Sequence, residues 1–580
     1  MKIWKIINII RTLDAAIIPL GFLIALVDSI SGYITIVMLP QIMRQLILRT
    51  SAYYVMRLIL ITVAANVTFL ALSKLMSALY EKRKLRLQHN YKKLKTKKYM
   101  SVDYKVLEDS NFEQLRQVIL NSDDMMGAFE QFIDSINNIF RNVISSVIAL
   151  LIFGSIFNLI YSANYEGVLL YPVFLISLTV ISTILVALLQ KRATKVVPHI
   201  MGQMTWVNIF AMYLISEVVL NYKFGMDIRI YKLNDLLNEE LNKATDNFIP
   251  FYKKLFRVSN LPGMVGVVQN AIINGATLVM TGVFAINGVI GFEDVVLYSG
   301  AIIQLISSIS ALFLALGSCT ISSSMLLYSL ELLELPEVEP NIDTTADQIV
   351  PQTYTPLFAF RDVSFMYPGS SEYALAGVNF EINQGDILAI VGENGSGKST
   401  IIKLLCRFYE PTSGEILYNG VNISNIDILK YRKALAVVFQ DFELFSDSVG
   451  SNVAIARTYD RSKVLDSLNR VNFSRDKSHK HDIDSTIYKY YDNSGIEISG
   501  GEAQKISIAR AIYKKSSIFI FDEPSSALDP KAEVALYEQL ANIVGTKTAI
   551  YIHGKSIYFF AAQLHPQKRI KIPVFEKNAA

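Results

Sequence analysis

Eight residues, Gly392-Glu393-Asn394-Gly395-Ser396-Gly397-Lys398-Ser399, carry the spacing G-x-x-x-x-G-K-S. Glycines so placed let successive backbone N–H groups point inward at an anion. The loop lies between an apolar run, Ile387 to Val391, and a helical run, Thr400 to Phe408. Strand, glycine turn and helix N-terminus are what a phosphate-binding loop requires, and the helix dipole adds positive potential. In that setting Lys398 reaches the β- and γ-phosphates of ATP and Ser399 ligates Mg²⁺. Gly392, Glu393, Asn394, Gly395, Ser396, Gly397 and Thr400 complete the candidate nucleotide-binding set. The bland alternative is a chance match in a glycine-rich turn. The strand–loop–helix setting weighs against it.

A second constellation agrees. Ile518-Phe519-Ile520-Phe521 reads as a buried strand and ends in Asp522-Glu523. Nucleotide sites of open α/β sheets lie at such strand ends. There Asp522 can hold Mg²⁺ and Glu523 can polarise water. Tyr367 ends the first strand of the same region, before Pro368-Gly369, where an aromatic ring can stack on a base or pack on the sheet.

The elements that position these residues fill less than half of the 580-residue chain. The composition is 52% hydrophobic and 18% charged, against roughly 25% charged in soluble domains. A net charge of +4 is small for this length and argues against a nucleic-acid partner. Cys319 and Cys406 have no metal-site spacing and read as small packing residues.

Six apolar runs precede Pro336: Ala15–Pro40, Val55–Tyr80, Val143–Tyr161, Val168–Leu189, Met264–Ile290 and Val295–Leu316. Each is long enough to cross a bilayer, which takes about 20 residues. The basic start reads as part of a retained first span, not a cleaved leader. Lys2, Lys5 and Arg11 precede span one; Lys82 to Lys98 is densely basic after span two; Lys191 and Arg192 follow span four. By the positive-inside rule both termini and the nucleotide domain are cytoplasmic, in a multi-pass protein of the cell membrane. Arg44 and Arg49 run against that rule. The connections after spans two and four, Glu81–Arg141 and Gln190–Leu261, are long and helical in pattern. Extensions of that kind can carry force between membrane and motor. Asp28 and Lys74 fall inside spans; intramembrane charge makes them functional candidates.

The chain therefore divides into a transmembrane domain (1–335), a linker (336–356) and a nucleotide-binding domain (357–580), with an atypical ending after about 553. The fold class expected is an all-α six-helix transmembrane domain plus an α/β P-loop NTPase domain.

On these motifs the chain resembles an ATP-binding cassette (ABC) exporter half-transporter, and the resemblance covers nearly all of it. It implies that Tyr367 stacks on adenine. It implies that Gln440, in Val437-Val438-Phe439-Gln440, senses Mg²⁺ and nucleotide. The signature loop of the family is Leu-Ser-Gly-Gly-Gln; here it is Ile498-Ser499-Gly500-Gly501-Glu502. The resemblance implies that Ser499 and Gly501 contact the γ-phosphate held by the opposite subunit. Ser526-Ala527-Leu528-Asp529 matches the D-loop. His553 is the candidate switch histidine, one residue short of the family register and followed by Gly554 instead of arginine. The remainder, Ile557 to Ala580, does not match the closing segment of the family, so the final strand is expected to be missing.

The function expected is ATP-driven export of a peptide or hydrophobic compound, with a second half-transporter, membrane lipids and the cargo as partners. The segments at Asp103 to Phe112 and Asp227 to Tyr231 loosely resemble exporters of modified peptides. Lipid or drug export, a catalytically weak subunit of a heterodimer, and a membrane-anchored regulatory ATPase are the alternatives. Six spans argue against the last, since an anchor needs one.

Overall fold

Helical length follows from the apolar runs continuing into polar, strongly helix-forming sequence. The computed structural model describes residues 2–162, 170–337, 356–393, 395–473, 482–490, 492–524, 530–553, 570–571 and 574–575. The chain divides into two units: Met1–Val102 with Ser110–Glu337, and Asp103–Asp109 with Val338–Ala580.

The first unit is helical. It opens with α1 (Lys2–Leu13), α2 (Ile17–Ile47) and α3 (Ala52–Ser101). The short helix α4 (Tyr104–Leu107) belongs to the second unit. The helical unit resumes with α5 (Ser110–Ile119), α6 (Ala128–Ser162), α7 (Leu170–Met212), α8 (Gly225–Ile230), α9 (Asn234–Ile286) and α10 (Val295–Glu334). Among the described residues, α2, α3, the 128–152 part of α6, α9 and α10 are long and apolar enough to span a bilayer. The fourth apolar run falls in α7, and the connection 163–169 before it lies outside the described residues. Leu60, Val67, Leu70 and Leu75 of α3 are exposed, as lipid-facing side chains are.

Polar ends of these helices are locked by ions. The buried Lys95 ammonium donates to Asp123 (2.8 Å) and Asp124 (2.9 Å), which a π-helical turn, Leu120–Met125, presents to it. Ser329 of α10 donates to the same Asp123 carboxylate. Lys84 meets Asp134, Glu130 and Glu81 at 2.9, 3.2 and 3.6 Å. Tyr91 stacks on Phe129 with ring centroids 3.9 Å apart. Asp28 accepts a hydrogen bond from Ser73, while Lys74 is exposed. Both cysteines are free and buried, as packing residues would be.

The second unit carries two sheets. Its elements are β1 (Phe358–Phe365), β2 (Leu375–Ile382), β3 (Ile387–Gly392), α11 (Lys398–Leu405), β4 (Ser413–Tyr418), β5 (Val421–Asn422), α12 (Ile428–Lys433) and β6 (Leu435–Val438). Then come α13 (Val449–Ala454), α14 (Arg461–Arg470), α15 (Gly500–Tyr513), β7 (Ile518–Asp522), α16 (Pro530–Val544), β8 (Thr548–His553), β9 (Ile570–Lys571) and β10 (Val574–Phe575). An antiparallel sheet runs β2-β1-β4-β5, and a parallel sheet runs β10-β3-β8-β7-β6. β3 and β7 are apolar and buried almost throughout, because a parallel sheet is covered on both faces. The period-two geometry of strands divides them cleanly. Ile387, Ala389 and Val391 face one core with Phe519 and Phe521. Leu388 and Ile390 face the other with Ile518 and Ile520.

The ending differs from expectation. Closing strands exist: β9 pairs with Ile387 and Leu388 of β3, and β10 with Val391 and Gly392, all parallel. Two-residue strands flanked by basic and proline residues leave too weak a period for sequence reading. β3 supplies the backbone template that reveals them. The linker at 338–355 and the D-loop at Ser526–Asp529 lie outside the described residues.

Candidate functional site

Parallel pairing aims every strand of the large sheet at one rim. Val391 lies opposite His553, Ile552 opposite Asp522, and Phe521 opposite both Tyr551 and Val438. The phosphate loop, His553, Asp522-Glu523 and, just beyond β6, Gln440 therefore share that rim. The His553 side chain and Asn394 lie outside the described residues.

The loop is shaped for an anion. Gly395 and Gly397 have φ of +83° and +87°. At Gly397 a Cβ would also come within 2.6 Å of the Ala374 carbonyl oxygen, so no side chain fits. Lys398 opens α11 and is buried; its ammonium donates to the carbonyls of Gly392 (2.9 Å) and Glu393 (2.8 Å). Ser399 is exposed and Thr400 buried. Among the described residues two buried oxygens at the rim, Ser396 Oγ and Asp522 Oδ1, have no hydrogen-bond partner. Buried polar atoms are otherwise nearly always bonded, so the pair is open to a ligand. Burial first, then the charges of Glu523 and Asp441, raises the Asp522 carboxyl to about 6, against the pull of Lys398. A divalent cation there would relieve the excess negative charge. Glu523 holds φ +44° while its N–H donates to the Ile552 carbonyl at 3.0 Å. Such backbone strain is typical of functional positions.

Tyr367 is fixed at the other end of the loop. Its hydroxyl is 3.1 Å from the Thr400 hydroxyl, and its ring meets Phe365 and Tyr409 edge-on. Sequence reading missed what lies behind it. The Lys403 ammonium sits 5.3 Å from the Tyr367 ring centre and donates to Glu108 at 2.8 Å. Glu108 also accepts from Tyr104 (2.8 Å) and from Tyr409. Burial pushes the Glu108 carboxyl up, but the bonds from Lys403, Tyr409 and Tyr104 outweigh it and hold it below the usual range. Tyr104 stacks obliquely on Phe408, centroids 4.6 Å apart, and Phe408 lies 6.1 Å from Phe439, the neighbour of Gln440. Residues 103–109, part of the long connection after span two, thus pack beside the nucleotide loop. Only the family resemblance of the Asp103 region pointed towards it.

The signature loop is elsewhere. Ser499 caps α15, exposed, and Gly501 is exposed beside it. Glu502 folds back: its carboxylate accepts from the Ser499 N–H (2.9 Å) and hydroxyl (2.7 Å), and the Glu502 N–H donates to the hydroxyl at 3.3 Å. This is a capping box. Among the described residues no hydrogen bond joins Ser499 to residues 392–400.

Comparison with known proteins agrees. Residues 375–526 match the family model described as ABC transporter. The subtilin transport ATP-binding protein SpaT of Bacillus subtilis is 30% identical over 347 residues, covering 58% of this chain and 55% of that protein. The ATP-dependent lipid A-core flippase of Escherichia coli is 38% identical over 195 residues, a 33% share of each chain. The matches thus span about half or less of the curated relatives. A solved structure of a bacterial Atm1-family ABC exporter with ATP bound superposes with a TM-score of 0.71, covering 95% of this chain and 92% of that one at 20% identity. The fold is that of an ABC exporter. Within it, residues 375–526 carry the ABC transporter match, and an ABC ATPase domain implies ATP binding. Its relatives include SpaT and the lipid A-core flippases.

Lys398→Ala removes the buried ammonium at the loop. A charge-assisted contact contributes about 1.5–3 kcal/mol, so ATP affinity of the purified full chain is expected to fall at least about tenfold. Nucleotide titration measures it; equal affinities would displace the site from this loop.

Proposed function

We propose that this chain is one half of an ATP-driven exporter of peptides in the cell membrane, with both termini and the ATPase domain on the cytoplasmic side. The observation that carries the ATPase part is the shared rim, where Ser396 Oγ and Asp522 Oδ1 have no hydrogen-bond partner among the described residues. Tyr367 stacks on the adenine, and residues 392–400 with Lys398 hold the phosphates. Ser399, Asp522 and Gln440 would hold Mg²⁺, which neutralises phosphate charge when bound. Glu523 orients the attacking water and takes its proton. Ser499 and Gly501 of one chain, at the head of α15, face the phosphates held by a second half-transporter. ATP then joins two surfaces, and its binding favours one arrangement of the attached helices.

A peptide cargo is supported by the reach of the similarities. The SpaT alignment, at 347 residues, is longer than the whole ATPase domain, whereas the flippase alignment, at 195, fits within it. The former is too long to lie within that domain and so reaches into the helical part of the chain.

One observation favours a second reading, a catalytically weak subunit paired with a better one. The Ser499 hydroxyl is already bonded to Glu502, and a carboxylate there opposes an incoming phosphate. Glu502→Gln keeps the cap and removes the charge, so ATPase turnover is expected to rise several-fold. An unchanged rate would mean that Glu502 swings clear in the closed dimer.

Glu523→Gln should retain ATP binding and trap an ATP-dependent dimer without turnover, since the carboxylate that handles the proton of water is gone. Phosphate release and gel filtration read this together. Undiminished turnover places the base elsewhere.

Residues 103–109 carry nucleotide state to the transmembrane helices through Glu108 and Lys403. Replacing Lys403 by Met should leave hydrolysis measurable but weaken its stimulation by cargo in proteoliposomes. The same loss is expected of Glu108→Gln, and the double variant should be no worse than either single one. Additive losses would show that the two residues act independently.

A further inference from the structure

The helical unit holds a cavity of about 670 Å³ between α6 and α10 that the nucleotide chemistry does not use. On α6 its wall is Gln131, Asp134, Ser135, Asn138, Arg141 and Asn142. Their spacing puts them on one helical face, while Phe132 and Ile133 turn into the core. On α10 the wall is Gln304, Ser307 and Ser308, then Ala311, Leu314 and Ala315. Those six lie within the apolar run Val295–Leu316, and Arg141 immediately precedes the run Val143–Tyr161. Amides and hydroxyls at that depth are costly unless something bonds to them.

The two ends differ in charge. At Asp134, three carboxylates (Glu81, Glu130 and Asp134) surround the single Lys84 ammonium. Three negative charges against one positive leave that end negative. At the other end the Arg141 guanidinium has no ion pair or hydrogen bond among the described residues. Between them Asn138 and Asn142 line α6, and across from them Gln304 and Ser308 converge on Ser145, at 3.1 and 2.8 Å. Seven helical residues separate Asp134 from Arg141, a rise of about 10 Å. An extended chain covers that distance in about three residues.

We propose that this cavity binds a short zwitterionic peptide segment, its amino group towards Asp134 and its carboxylate at Arg141. The amides and hydroxyls between them meet the peptide groups, each of which offers one donor and one acceptor. An acyl chain in the same place would leave the Arg141 guanidinium without a counter-charge and would offer nothing to the polar atoms of the wall. The proposal deepens the exporter reading and rests on it for the meaning of binding, but not for binding itself.

The test is calorimetric titration of the purified full chain, without nucleotide, with trialanine, its carboxy-terminal amide and its N-acetyl form. Trialanine is expected to bind, and each blocked form to bind about tenfold or more weakly, the scale of one lost charge-assisted contact. Arg141→Gln should erase the preference over the amide and keep the preference over the N-acetyl form; Arg141→Lys should restore the first. Absence of trialanine binding overturns the proposal. So does a preference over the amide that survives Arg141→Gln, or displacement of trialanine by added phosphatidylglycerol, which would assign the cavity to lipid. ATP binding is titrated on the same preparation. Its loss beside intact peptide discrimination would sink the exporter reading and leave the cavity standing.

Discussion

The register between β3, β8 and β7 is the constraint on which the rest depends. Val391 opposite His553 and Asp522 opposite Ile552 bring the phosphate loop, His553 and the acidic pair to one rim. A slip of one residue would turn every side chain of a strand to the other face. It would exchange the two cores and carry Asp522 away from Lys398. The register is held because both faces of β3 and β7 are buried. Hydrophobic packing thus positions the charges, and the charges need not hold the fold. Ser396 Oγ and Asp522 Oδ1 are left without a hydrogen-bond partner among the described residues.

Outside the sheet, buried or half-buried lysines do the organising. Lys84, Lys95 and Lys98 look in sequence like members of a solvated basic stretch. In the structure each reaches across to another segment: Lys84 to Asp134, Lys95 to Asp123, and Lys98 to Glu337. Removing one partner of such a pair strands a buried charge, which is far more disruptive than losing a surface ion pair. Lys403 plays the same part in the second unit, joining Glu108 to the rings of Tyr104, Tyr367 and Tyr409. One network therefore holds both the proposed base-stacking tyrosine and the short segment that continues into the transmembrane helices.

Nucleotide chemistry was legible because it is local. Gly397 must be glycine for its own φ and its own contact with Ala374, and Lys398 acts on carbonyls five and six residues away. Strands β3 and β7 were readable for a similar reason, since continuous apolar runs of that length end at turn residues. The closing strands were not. β9 and β10 are two residues each, and their pairing energy comes from β3, nearly two hundred residues earlier. Glu502 was ambiguous in sequence because a carboxylate at the third helical position can face outward or turn back. The Ser499 hydroxyl and N–H at the helix start, both bonded to the carboxylate, settle it as a cap.

By itself the sequence determined the two classes of element, membrane-length helices and an α/β nucleotide domain, and most of the residues at the phosphate loop. Those follow from periodicity and from contacts a few residues apart. Tertiary structure alone decided which distant groups meet: Lys403 with Glu108, Lys95 with Asp123, and Asp134 and Arg141 across one cavity from Gln304. Charged side chains carry no periodic signal of their partner. Their pairing is fixed only when packed helices and strands bring them within reach of a Coulomb interaction that water no longer screens.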